Sequence, residues 1–98
     1  MIDRIVYRAA ARREFDAAAE YYNRQRLGLG REFVAEVRAV LEVIAAQPDR
    51  YPFLIRDIRH APTNRFPFCV CYRVTSRQIV IISIYHTARD PSVWENWS

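Results

Sequence analysis

The stretch from Arg65 to His86, RFPFCVCYRVTSRQIVIISIYH, constrains the chain more than any other, because little besides a β-hairpin accommodates it. Phe68, Val70, Tyr72 and Val74 alternate with Cys69, Cys71 and Arg73, the period of two that a strand imposes on its side chains. After a polar break, the run Ile79 to Ile84 is rich in β-branched residues and too short to span a membrane, so it reads as a strand with apolar cover on both faces. The break, Thr75-Ser76-Arg77-Gln78, lacks glycine and favours a four-residue loop built on a type I turn. In that register Val74 faces Ile79, Tyr72 faces Ile81, Val70 faces Ser83 and Phe68 faces Tyr85, a bulky face expected to lie under helices. Cys69, Cys71, Arg73, Val80, Ile82, Ile84 and His86 then form a smaller, open face suited to a partner.

The residues ahead of the hairpin supply those helices. Arg4 to Tyr7 reads as a short first strand. Ala11, Phe15, Ala18, Ala19 and Tyr22 then fall on one face of a helix, and Phe33, Val37, Val40, Leu41 and Ile44 repeat the same offsets in a second. Between them lies Arg26-Leu27-Gly28-Leu29-Gly30, with both glycines of the chain, so the helices are expected to be antiparallel and, with Ala11 and Ala18 at the contact, close. The second helix stops before Pro48. Leu54 to Ala61 reads as one edge strand protected by Arg56, Arg59 and His60, and Asp90-Pro91 starts a short helical turn over Ser92 to Trp97. Counting directions predicts an α+β two-layer sandwich, β-α-α-β-β-β, with an antiparallel sheet, a helix hairpin on one face and first and last strands antiparallel.

The 98 residues make one domain, 1–98, able to bury a core without disulfides or metal. Cys69 and Cys71 lie two apart on one strand face, where a mutual disulfide is strained, and their spacing with His86 is not that of a zinc site. Packed, reduced thiols are expected, with no metal and no cofactor. No signal peptide or membrane span is expected, which places the protein in the cytoplasm. All 15 basic residues are arginine; residues 1–47 carry eight of them against seven acids, whereas Arg50 to Arg89 holds seven against Asp57 alone. The sheet half therefore suits phosphate or carboxylate partners. Because the helices are charge-balanced, sequence-specific DNA binding by this chain alone is not expected.

The order strand, two helices and meander, together with RFPF, the CYRV tyrosine and arginine, the Tyr21-Tyr22 pair, Tyr51 between Pro48 and Pro52, and HTARDPSVW from His86 to Trp94, resembles the RelE/ParE toxin superfamily, its ParE-type (plasmid stabilisation) branch. The resemblance implies the bacterial toxin of a type II toxin–antitoxin module, neutralised by a ParD-like antitoxin. It also implies inhibition of DNA gyrase by means that need no catalysis; the alternative within the superfamily is a RelE-like ribosome-dependent mRNA endonuclease. Aligned on those motifs, Cys69 stands where ribonuclease members place a strand arginine, the preceding strand has none of their lysines, and Arg89 matches their second arginine. A nuclease here is expected to depend on His86 and Arg89. Ala88, where relatives often carry another arginine, and Trp97, where a basic residue often follows the tryptophan, depart from the pattern. The resemblance and the charge together put target binding on Arg65, Arg73, His86, Arg89 and Trp94. Antitoxin binding is expected on Arg56, Cys71, Val80, Ile82 and Ile84, where an acidic amphipathic segment folds on contact.

Overall fold

Strand β1 (Arg4–Tyr7) leads through Arg8 into α1 (Ala9–Gln25), and α2 (Leu29–Ala46) follows a turn of three residues, Arg26–Gly28. The computed structural model describes residues 4–88 together with Trp97; the expected C-terminal turn, with Arg89 and Trp94, lies outside the described residues. The apolar stripes behave as their periodicity requires. Ala11, Phe15 and Ala18 of α1 and Phe33, Val37, Leu41 and Ile44 of α2 are buried, with Ala19, Tyr22 and Val40 packed beside them. At the turn Gly28 takes φ 89°, a left-handed value that glycine adopts without penalty. Asn23, in the last turn of α1, accepts the Gly30 N–H at 2.9 Å and so satisfies one of the orphan donors of α2. The helices approach so closely at Gly30 that an added Cβ would lie 2.3 Å from the Ala19 carbonyl oxygen.

The chain continues as β2 (Phe53–Ile55), β3 (Ile58–Pro62), β4 (Phe68–Val74) and β5 (Gln78–His86), and the five strands form one sheet in the order β1-β5-β4-β3-β2. The α+β sandwich stands, with both helices packed on one sheet face. The sheet is mixed rather than antiparallel, because β1 pairs with β5 in parallel, Ile5 beside Ile79 and Tyr7 beside Ile81. One turn accounts for the difference. The stretch expected as a single edge strand folds back at Arg56-Asp57, where Arg56 takes φ 51°, and Ile55 pairs with Ile58. This extra reversal inverts every strand that follows it.

The hairpin of β4 and β5 closes at Thr75–Gln78, with the Thr75 N–H donating to Gln78 O. Val74 pairs with Ile79 and Tyr72 with Ile81 as the alternation requires. Beyond them the register shifts: Cys71 pairs with Ser83 and Val70 with Ile84, so Ile82 is an extra residue and a β-bulge. The expected pairs Val70 with Ser83 and Phe68 with Tyr85 are therefore displaced by one. Ile84 joins the inner core against the helices, while Tyr85 turns to the outer face with Cys69, Cys71, Ile82 and Ile58.

The inner core is built around Phe33, whose ring meets Phe15, Tyr22, Phe66 and Phe68 at centroid distances of 4.9–5.9 Å. Tyr72 extends it towards the loop after α2, where its hydroxyl donates to Pro48 O at 2.8 Å. Burial raises the Tyr72 pKa to about 12. The native state thus holds this proton more tightly than the unfolded chain, whose tyrosine ionises near 10, and stability falls as pH rises from about 10 to 12. Tyr72→Phe is expected to cost about 1 kcal/mol at neutral pH through the lost hydrogen bond. It should also flatten that alkaline loss, which urea unfolding on both sides of pH 10 measures.

Candidate binding cleft

Strand β1 pairs only with Gln78–Ile81, so the second half of β5 runs on past its neighbour. At that point the chain turns into α1, the Arg8 N–H donating to Ile81 O at 3.0 Å. Helix and strand then enclose a cleft of about 500 Å³, with Glu14, Ala17, Ala18, Tyr21 and Tyr22 on the helical wall and Phe68, Ile84 and His86 opposite. Glu14 fixes the wall to the strand: its Oε1 accepts from Ser83 Oγ at 2.8 Å and from the Ile84 N–H at 3.1 Å. Thr87 donates its N–H to Pro67 O on the β4 side. Strand alternation consequently turns the Ile84 carbonyl and the His86 N–H and carbonyl towards the cleft. Among the described residues none of these three groups has a hydrogen-bond partner.

His86 stands at the cleft with its ring edge-on to Phe68, centroids 5.3 Å apart. Its Nδ1 accepts the Ala88 N–H at 3.1 Å, which leaves Nε2 to carry the proton of the neutral ring. Arg65 is near the same end of the sheet, tied to α2: its guanidinium meets Glu32 at 2.6 Å, and its N–H and that of Phe66 donate to Glu36. The hydrogen bond from Arg65 lowers the Glu32 pKa. Arg73 lies at the far end of β4, paired with Asp57 at 2.9 Å, so the expected target surface is not brought together in full. Arg65 and His86 share one end; Arg73 does not.

The surface expected for the antitoxin is altered more deeply. Ile84 is on the helical face, fully buried, and Cys71 and Ile82 on the outer face are 0% and 2% exposed. The outer face is therefore not open: Trp97 packs there, its ring 5.9 Å from Tyr85 and its carbonyl oxygen 2.9 Å from Arg56 Nη1. Val80 is only partly buried, and Arg56 is occupied by Trp97. The cysteines are free and buried. The two neighbouring thiols shift each other's ionisation: Cys71 lowers the Cys69 pKa, while Cys69 and burial raise that of Cys71. The histidine beside Cys69 is His60, its Nδ1 3.7 Å from Sγ, and not His86. No group of three or more His, Cys, Asp or Glu side chains able to hold a metal occurs among the described residues.

Residue periodicity passes over Glu14, although its offsets of three from Ala11 and four to Ala18 put a carboxylate on the edge of an apolar stripe. That misplaced charge was the available signal.

This helix hairpin on a five-stranded mixed sheet is a fold shared with a solved structure titled "Chromosomal ParDE TA system from P. aeruginosa", which matches with a TM-score of 0.77 at 18% identity, over 88% of this chain and 96% of that one. No curated protein matches the sequence. The family model described as the ParE toxin of type II toxin–antitoxin system, parDE, matches residues 5–91, and the chain belongs to that family.

Proposed function

We propose that this chain is the toxin of a two-protein module in the bacterial cytoplasm, held inactive by a ParD-like antitoxin. Its target is DNA gyrase, and it inhibits by binding rather than by catalysis. The observation that carries the second part is Cys69. Cleaving an RNA backbone requires a cation beside the pentavalent phosphorus and groups that move two protons. At the strand position where nuclease relatives are expected to hold an arginine, this chain has a thiol, 2% exposed on the outer face. In the cleft, the Glu14 carboxylate is engaged by Ser83 and Ile84 and His86 has Nδ1 occupied. On this reading His86 and Arg65, with Arg89 and Trp94 outside the described residues, form the target surface at the end of the sheet.

A ribosome-dependent endonuclease is the second reading, favoured by His86 at the cleft, whose Nε2–H points to no partner among the described residues. Inducing the chain alone in a bacterial host and pulse-labelling DNA and protein synthesis in the first minutes separates the two. DNA synthesis should fall first, with His86→Ala reducing toxicity only in part. Translation stopping first, together with complete loss of toxicity in His86→Ala, would replace gyrase by the ribosome.

A further inference from the structure

We propose that Phe53, with the Arg59 guanidinium stacked on one face of its ring, is a platform on which a base of single-stranded DNA stacks. Phe53 stands at the outer edge of the sheet, where β2 has β3 on one side and no strand on the other. No residue of β2 joins the inner core under the helices, and Phe53 belongs to neither core cluster: it is 57% exposed. The ring is nevertheless held in place. The Arg59 guanidinium lies 3.9 Å from its centroid, and that guanidinium is itself fixed by Tyr51 O at 2.6 Å, Asp49 O at 3.3 Å and the Asp49 carboxylate at 3.8 Å. A cation on one face leaves the open face poorer in electrons, which favours an electron-rich base as the stacking partner.

The occupant follows from what this edge lacks. Strand β2 has three residues and its register shifts between Phe53 and Ile55, so it offers no run of main chain to which a protein strand can add. One exposed ring is also far less than the roughly 1,000 Å² that a specific protein interface buries. A base needs only the ring. Charge agrees with this choice: Asp49 is paired with Arg59 and Asp57 with Arg73, whereas Arg50, three residues before Phe53 and 5.9 Å from the Tyr51 ring, has no acidic partner among the described residues. Arg50 is therefore the cation for a phosphate beside the stacked base. Stacking reads no sequence, in keeping with the charge-balanced helices. The choice of DNA over RNA rests on the gyrase reading, which supplies a target that opens the duplex.

The probe is a fluorescein-labelled oligothymidylate of about ten nucleotides, followed by anisotropy against the chain and against Phe53→Ala, Phe53→Leu and Phe53→Trp. Phe53 lies outside both cores, so the variants keep the fold, which circular dichroism verifies. Affinity should fall at least about fivefold in Phe53→Ala and Phe53→Leu, and stay within about twofold or rise in Phe53→Trp, because stacking needs a ring and apolar burial does not. Wild-type affinity in Phe53→Leu, or no binding by the wild-type chain, overturns the platform. An oligouridylate RNA bound more than about tenfold tighter overturns the assignment to DNA. Gyrase supercoiling measured beside the titrations separates this inference from the reading it draws on. Inhibition of supercoiling together with oligonucleotide binding indifferent to Phe53 overturns the platform and leaves the gyrase reading intact; Phe53-dependent binding without inhibition upholds the platform and overturns that reading.

Discussion

Phe33→Ala should remove about 3–5 kcal/mol of stability, read as a shifted midpoint in urea unfolding. Phe33 is fully buried, and its ring in α2 meets Phe15 and Tyr22 of α1, Phe66 just ahead of β4 and Phe68 at its first position. Deleting it leaves a cavity ringed by aromatic groups held by their own edge-to-face contacts, which collapse poorly. A domain of this size has about 5–15 kcal/mol in total, so the variant should be close to unfolded at 37 °C. A midpoint shift corresponding to less than about 1 kcal/mol would mean that the helices do not pack on β4 as described.

Gly30→Ala should also destabilise, by about 1–3 kcal/mol, although the same change within an exposed helix stabilises by roughly 1 kcal/mol. The sign is what makes this informative. The new methyl would meet the Ala19 carbonyl oxygen at 2.3 Å and Asn23 Cγ at 2.7 Å, so α1 and α2 would have to separate. Separation costs the hydrogen bond from the Gly30 N–H to Asn23 and loosens Phe15 from Phe33. Thermal unfolding of the variant beside wild type decides it: a raised midpoint would show that the helices do not approach closely at this position.

Both helices were legible in the sequence because their apolar residues recur at the helical period while charged residues fill the other positions, so phase as well as type could be read. The hairpin was legible in type and in its first two pairs. It was not legible beyond Ile81, since Ile79, Val80, Ile81 and Ile82 are all apolar and a uniform run carries no phase to expose an extra residue. The turn at Arg56-Asp57 carried only one turn-forming residue, Asp57, with no glycine, asparagine or proline beside it, and the left-handed conformation falls on an arginine. Misreading that one reversal reversed the relation of β1 to β5. The site suffered from the same two omissions. Ile84 was placed on the outer face because of the bulge, and the free half-edge of β5 exists because parallel β1 ends at Tyr7 while β5 continues to His86. Charge placement, by contrast, was readable only as composition: Arg59 donates to Asp49 O and Tyr51 O and lies 3.9 Å over Phe53, contacts that no spacing rule predicts.

The parallel pairing of β1 with β5 joins segments nearly the whole chain apart, and this orders the folding of a toxin during its own synthesis. The helix hairpin and the hairpin of β4 and β5 are local and form early, whereas β1 remains without a neighbour until β5 has left the ribosome. The cleft needs α1 from one end and β5 from the other. A truncated or half-translated chain therefore presents neither a finished sheet nor the cleft between α1 and β5.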